Sequence, residues 1–499
     1  MSKKKWYLVK PKTKLIMLNN NLPLTGFEAS IEKFTQLCCH LDPQWDVYQL
    51  ESHVQKQGSE VLRQLIQDQL NKITLSAQAQ TPTAKRLHKR QLQTLFGKIF
   101  VKRPALSQYG QSSQHPLDSE LNLPTSSYSF LLQKTICHKV ADLSYDSAAE
   151  QLLPLYPGHI PKRQALECVE GAMVDFEAFY TQSQAPLLKE SEYLVMSFDG
   201  KGVNMRFEGL TEHTQQKARS QKLEKRLSPG EKSNRKRLAT VAAVYTTQPH
   251  KRTAAQMVNP LLKDPDYKPP KAENKRVWAS LTHSMERVIE QAFDEASKRD
   301  PQQEKPWVVL VDGNSAQILA VKRVAEKHQK KVVIVVDLIH VIEYLWQAAH
   351  SLYDVAEKRQ SWVTSQLKGL MQGKLSRVVA QMKRLATMTK LEQRKGVDDC
   401  ARYLINHKQY LCYDRFLLKG YPLATGVIEG ACRYLVKDRL EKTGARWSLL
   451  GAEAVLKLRA LVCHGDLDEY WAFHQHQAWI RNYGQKGGAH CLYASNEAA

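Results

Sequence analysis

The sequence predicts an α/β protein in which a sheet-bearing part follows mainly helical N-terminal regions. Four short apolar runs carry the strand prediction: SEYLVMSFDG (191–200), RLATVAAVYT (237–246), PWVVLVDGN (306–314) and KVVIVVDLIHV (331–341). Their length and β-branched content suit buried strands. Helical periodicity fills the stretches between them, which is the pattern of an α/β layer structure. Residues 342–420 are helical in pattern without a strand run, so an all-helical insertion is expected there. A chain of 499 residues makes about three domains, and a hydrophobic fraction of 42% supplies real cores.

In chain order, residues 1–85 read as helical and polar. Segment 51–73 places Val54, Leu62, Leu65, Ile66, Leu70 and Ile73 near helical spacing, as in a surface helix or a self-association arm. QTLFGKIFVKR (93–103) alternates like a strand around Gly97. Pro116, Pro124 and nearby serines mark a loop, and 127–180 reads as a helical bundle. There Ser144 is placed to cap a helix over 146–153. After a Pro/Gly turn at 154–158, Pro161 opens a second helix carrying Lys162, Arg163 and Gln164. That pair suits a helix-turn-helix reader of DNA, or an ordinary helical hairpin. Segment 215–237 is basic with almost no apolar residue, and a flexible loop is expected. Segment 428–447 starts a helix with Ile428, Ala431, Cys432, Leu435, Val436 and Leu440 on one face and Gly444 as its stop. The expected organisation is 1–85 helical, 86–185 DNA-binding, 186–345 the first part of the core, 346–424 the insertion and 425–499 the core's completion.

Lys and Arg number 72 against 50 Asp and Glu, a net charge of +22, which points to a polyanionic partner, nucleic acid ahead of membrane. The excess is local. Residues 201–276 hold 18 basic against 7 acidic residues and 357–395 hold 10 against 2, so these two segments account for +19 of the +22. The first twenty residues lack the apolar region of a signal peptide, and no window approaches the ~20 apolar residues that span a bilayer. Nine cysteines without a CxxC pair argue for a reducing compartment and against a disulfide framework or structural zinc site. There is no HExxH and no GxxxxGK[ST]. A cytoplasmic protein without a membrane partner is expected.

Asp199-Gly200 and Asp312-Gly313 each end a strand run, and Glu429 lies near the edge of the apolar face of the later helix. A helix packed on the sheet by that face would point Glu429 toward the strand ends. Three converging carboxylates repel unless a cation neutralises them, and their hard oxygens suit Mg²⁺ or Mn²⁺. Two such ions about 3.5–4 Å apart can activate water or a 3′-hydroxyl and stabilise the leaving oxygen of a phosphodiester. The competing reading makes each Asp-Gly an ordinary turn and Glu429 a first-turn helix acid. Lys201, Arg235, Lys236 and Arg237 are candidate phosphate contacts, as are Arg439 and Arg446, and Trp447 can stack on an unpaired base. A solvated lysine and a salt-bridged helix with a buried tryptophan are the alternatives. Tyr470, Trp471 and His474 read as a small aromatic core.

FDGKGV (198–203), LVDGNSAQ (310–317), VVDLIHVIEYLW (335–346) and the long block 425–461, beginning TGVIEGACRYLVKDR, resemble the ISKra group of bacterial insertion-sequence transposases. More distantly they resemble Mutator-like and ISL-type DDE enzymes. Upstream segments TLFGKIFVKR, LNLPTSSYSFLLQ and YDSAAEQLL…IPKRQALE are similar in order, so the resemblance covers about residues 90 to 480. It implies an RNase H-like core with Asp199 on the first strand, Asp312 at the end of the fourth and Glu429 on a helix after the insertion. Asp337-x-x-His340 is similar to the family's [CD]xxH element. Asp312 is the favoured second metal ligand and Asp337 the alternative, either as a ligand or as the cap of the next helix. His340 is a partly buried histidine or takes a supporting or phosphate-binding role.

The expected function is therefore a DDE transposase. It would cut its element's ends and join the 3′-hydroxyl to target DNA with two Mg²⁺ or Mn²⁺, acting on its own terminal inverted repeats as a homodimer or larger oligomer. A purely hydrolytic nuclease of the same fold and an inactive DNA-binding protein are the alternatives.

Overall fold

The computed structural model describes residues 26–82, 84, 86–107, 109, 112–154, 156–220, 234–258, 270–389 and 394–484. They fall into two compact units, one from the N-terminal part to Asp175 together with residues from Glu469 on, the other Phe176–Asp468. The expected final segment, 425–499, thus contributes to both.

In the first unit, α1 (Glu28–Cys39) precedes the long α2 (Val47–Gln80), whose start is fixed by a capping box between Asp46 and Gln49. Strands β1 (Arg86–Thr94) and β2 (Gly97–Ala105) form an antiparallel hairpin with Thr94 opposite Gly97. The expected single strand over 93–103 is corrected: it spans the hairpin turn, where Gly97 takes φ +117°. Ile66, Leu70 and Ile73 of α2 pack against a core of Leu92, Ile99, Val101, Leu117 and Leu123, while Val54, Leu62 and Leu65 stay exposed. After α3 (Pro116–Glu120) come α4 (Phe130–Val140), α5 (Tyr145–Leu152) and α6 (Lys162–Ala172). Ser144 caps α5 through the Ser147 amide, and Pro161 is the N-cap residue of α6. Residues 153–161 separate the two helices, longer than the 3–4-residue turn of a tight helix-turn-helix. In the C-terminal helix Leu467–Tyr483, Tyr470, Trp471 and His474 are buried, and Asp175 accepts from His474 and Arg481.

The second unit begins with α7 (Phe176–Gln182) and is built on five strands: β3 (Tyr193–Asn204), β4 (Lys236–Thr247), β5 (Glu273–Ser280), β6 (Trp307–Val311) and β7 (Val332–Val336). Their spatial order is β5-β4-β3-β6-β7, with β3, β4 and β5 antiparallel and β3, β6 and β7 parallel. All five residues of β6, WVVLV, are buried, the composition of a strand covered on both faces. The four predicted strands are present, but the first does not end at Asp199-Gly200 as expected: β3 stays paired with β4 through both residues to Asn204. The fifth, ENKRVWAS, opens on charged and polar residues that hide it in the sequence. The expected loop over 215–237 is corrected at both ends: α8 (Glu212–Ser220) covers its start and β4 its last two residues, while 221–233 lie outside the described residues.

Helix α9 (Ala254–Val258) precedes β5, and α10 (Met285–Arg299), capped by Ser284, precedes β6. Helix α11 (Ser315–Lys327) joins β6 to β7, and α12 (Leu338–Leu352) follows β7. The helical insertion comprises α13 (Ala356–Met371), α14 (Leu375–Met388), α15 (Lys395–Asn406) and α16 (Tyr413–Lys419). The helix expected from 428 is α17 (Gly426–Ala431), a π-helical stretch (Cys432–Lys437) and α18 (Asp438–Leu440), ending in a turn where Gly444 takes φ +65°. All six residues expected on its apolar face are buried, and α19 (Leu449–His464) closes the unit.

Candidate active site

Strand register brings two of the predicted acids to positions two residues past the same end of one parallel ladder. Ser197 of β3 pairs with Leu310 of β6, and two residues further along each chain come Asp199 and Asp312. Neighbouring strands lie about 4.8 Å apart. Val311 pairs with Val336, so Asp312 and Asp337 also follow adjacent strand positions, and the Asp337 amide donates to Val311 O at 2.8 Å. The row lies where the parallel pairing ends, the edge at which open α/β sheets present their ligand crevice.

Glu429 is linked to this row through its own helix. Thr425, buried just before α17, donates its amide and hydroxyl to Asp337 at 3.2 and 2.9 Å, and the same hydroxyl lies 3.3 Å from Glu429 Oε1. One turn after Glu429, the Cys432 thiol donates to Asp199 Oδ2 at 3.2 Å. Burial and the Asp199 charge push that thiol's pKa up, so it remains a protonated donor. The π turn beginning at Cys432 is braced by the buried Arg459 of α19, which donates to the carbonyls of Tyr434 and Leu435. Such wide turns expose carbonyls that need outside donors and recur at functional sites.

Asp312 and Asp337 have opposite surroundings. Asp337 is 0% exposed and accepts from the Ile339 amide, His340 Nδ1 (2.8 Å) and both Thr425 donors, so its lone pairs are taken. Burial alone would push its carboxyl up, but the hydrogen bonds from His340, Thr425 and Ile339 outweigh it and hold it below its ordinary value. The bond to Asp337 raises His340, against burial, to about 9, helped by Glu343 and Asp312. Asp337 is thus the N-cap of α12 and the tie between the β7 end and the Glu429 helix. Asp312 is half-buried, and among the described residues its carboxylate accepts only the Asn314 amide, at 2.8 Å.

Asp199, Asp312 and Glu429 form no ion pair within the described residues. Their hard oxygens fit Mg²⁺ or Mn²⁺ in donor chemistry, and the uncompensated charge fits a cation. They do not form a closed ligand sphere: no three His, Cys, Asp or Glu among the described residues stand in metal-holding arrangement.

The other sequence candidates separate clearly. Lys201 lies on β3 two residues past Asp199, and Arg446 and Arg235 are exposed. Lys236 pairs with Glu441 at 3.6 Å. Arg237 is turned inward, donating to Leu281 O and Gly209 O, which corrects its assignment as a DNA contact. Arg439 and Trp447 are corrected likewise. Both are buried, the guanidinium sits 4.9 Å from the indole centroid, and the indole N–H donates to Leu440 O. In the other unit Lys162 pairs with Asp146 and Arg163 with Glu167, both exposed, and Gln164 is half-buried in a cleft of about 570 Å³.

Four residues at the site escaped the sequence reading: Thr425, Cys432, Tyr403 and His407. Cys432 reads in the sequence only as part of an apolar face, and the one sequence signal for either residue as a site residue is its spacing of three (Cys432) or four (Thr425) from Glu429. Tyr403 and His407, four apart at the end of α15, reach the Asp312-Gly313 turn.

No family model matches the chain, and no curated protein matches it. No helix among the described residues is long and apolar enough to cross a membrane.

Proposed function

We propose that the protein is a DNA transposase of a bacterial insertion sequence, with an RNase H-like core carrying Asp199, Asp312 and Glu429. The observation that carries the reading is that Asp199, within β3, and Asp312, just past β6, both lie two residues beyond the last pair of the same parallel ladder, with Glu429 tied into the row through Thr425. The strand order, with three antiparallel strands followed by two parallel additions, and the helical insertion before Glu429 support the same reading. So does the resemblance of the sequence blocks around these acids to ISKra-group enzymes. The three carboxylates would hold two Mg²⁺, which when bound would supply activation of water or a 3′-hydroxyl and charge neutralisation at the leaving oxygen. Asp337 and Thr425 orient the Glu429 helix, Cys432 orients Asp199, and the His340 imidazolium supplies positive charge beside the site for a phosphate. Lys201 and the basic segments on either side of the site hold the DNA backbone. Synapsis of two element ends requires at least a dimer on DNA.

The test is cleavage of a DNA fragment bearing the repeats that flank the gene, by the purified full-length chain. With Mg²⁺, strand nicks leaving a 3′-hydroxyl at the repeat ends are expected, followed by joining to target DNA. With EDTA both products should vanish. Nicking without joining would favour a hydrolytic nuclease, and specific binding without nicking a DNA-binding protein.

A further inference from the structure

We propose that the helical insertion acts as a positioning element for the second carboxylate, with Tyr403 and His407 latching the Asp312-Gly313 turn. The proposal rests on the reading of Asp312 as a metal ligand. Asp312 lies one residue beyond the end of β6, so no strand ladder fixes its backbone. Its carbonyl accepts the Tyr403 hydroxyl at 2.8 Å, and the next carbonyl, of Gly313, lies 2.7 Å from His407 Nε2. Both side chains come from the end of α15, about 90 residues later in the chain. Burial pushes the Tyr403 hydroxyl's pKa up and keeps it a donor. Its ring stacks on Tyr344 of α12, with centroids 4.1 Å apart and planes at 20°.

Turn and ring are matched in shape. Gly313 takes φ +95°, and a Cβ there would lie 2.5 Å from the Tyr403 hydroxyl. A second tyrosine of the insertion repeats the device on the neighbouring strand: Tyr413 of α16, fully buried, donates to Val336 O at 2.7 Å, next to Asp337. Filling space would need only an apolar ring. A hydroxyl placed on the carbonyl at each strand end fixes the backbone from which the carboxylate projects. Among the described residues, the other hydrogen bond to Asp312 comes from the Asn314 amide to its Oδ1. A metal ion would compete for that same carboxylate, whereas the contacts to the two carbonyls persist when the carboxylate is engaged. Groups that only orient a ligand commonly change metal affinity 10–100-fold when removed.

The experiment titrates the full-length chain with Mn²⁺, following free Mn²⁺ by electron paramagnetic resonance, without DNA. Wild type is compared with Tyr403→Phe, His407→Gln and Asp312→Asn, and melting temperatures are recorded for each. Tyr403→Phe and His407→Gln should weaken Mn²⁺ binding about tenfold with melting temperatures near wild type, and DNA cleavage by Tyr403→Phe should recover at raised Mn²⁺. Wild-type Mn²⁺ affinity in both latch variants, with affinity lost in Asp312→Asn, would overturn the latch and leave the site reading intact. Wild-type affinity in Asp312→Asn itself would overturn the site reading and the latch with it.

Discussion

Asp312 and Asp337 end neighbouring strands, yet one is open and the other saturated. That difference assigns them different work. Replacing Asp337 removes a buried acceptor that serves four donors, so Asp337→Ala is expected to lower stability by about 3 kcal/mol or more, read as the urea midpoint. Its link to His340 also sets a pH window. The depressed carboxyl contributes stability above its unfolded value near 4 and loses it as pH falls through the lower folded value. The raised imidazole contributes fully below its unfolded value near 6.5 and loses its contribution as pH climbs through about 9. The melting-temperature gap between wild type and His340→Gln should therefore be wide at pH 6 and nearly closed at pH 10. A gap independent of pH would contradict the pairing. Asp312 was legible in the sequence because it follows a strand and Glu429 because it adjoins an amphipathic face, whereas Asp199 stood out only as an Asp-Gly after an apolar run, and β3 continues past it to Asn204. Thr425 and Cys432 were not legible, because their partners Asp337 and Asp199 lie 88 and 233 residues away.

Among the elements, the stretch after Glu429 departs from an α-helix at Cys432, whose thiol meets Asp199 of β3, and Arg459 donates to two carbonyls of the wide turn. A buried guanidinium donating to backbone contributes about 1.5–3 kcal/mol per bond. Arg459→Leu should destabilise the unit by at least that much and reduce DNA cleavage, with Arg459→Lys intermediate; circular-dichroism melts and a nicking assay read both effects. The apolar spacing of 428–440 gave the buried face correctly, but spacing cannot distinguish an α turn from a π turn whose cause is an arginine on another helix. The hairpin β1–β2 was half legible, since the alternation marks extended chain but carries on through Gly97 and so conceals the turn there. Strand β5 was missed because its charged first half resembles a loop and only VWAS shows its burial.

At the scale of the whole molecule, the charge excess is concentrated rather than spread, and part of it can be placed. Helix α14 buries Leu375, Val378, Val379 and Met382 and presents Arg377, Lys383 and Arg384, all exposed and without an ion-pair partner among the described residues. A basic face of this kind suits a phosphate backbone. Changing the three to Gln should weaken DNA binding at low salt and flatten the plot of log affinity against log salt by about 0.9 per lost contact. An unchanged slope would place the DNA elsewhere. The division of the chain was less legible than its charge, because the helix that begins at Leu467 continues a core segment in sequence while most of it belongs with the N-terminal unit.

The proposed function requires Asp199, Asp312 and Glu429 to form one metal-dependent centre for DNA strand cleavage and transfer. Excision of a marked element in cells, by Asp199→Asn, Asp312→Asn and Glu429→Gln variants that retain the wild-type melting temperature, tests it most directly. A fall of about three orders of magnitude or more in each single variant, with no further loss in the triple variant, is the expected result. Excision that survives in any one of the three would contradict it.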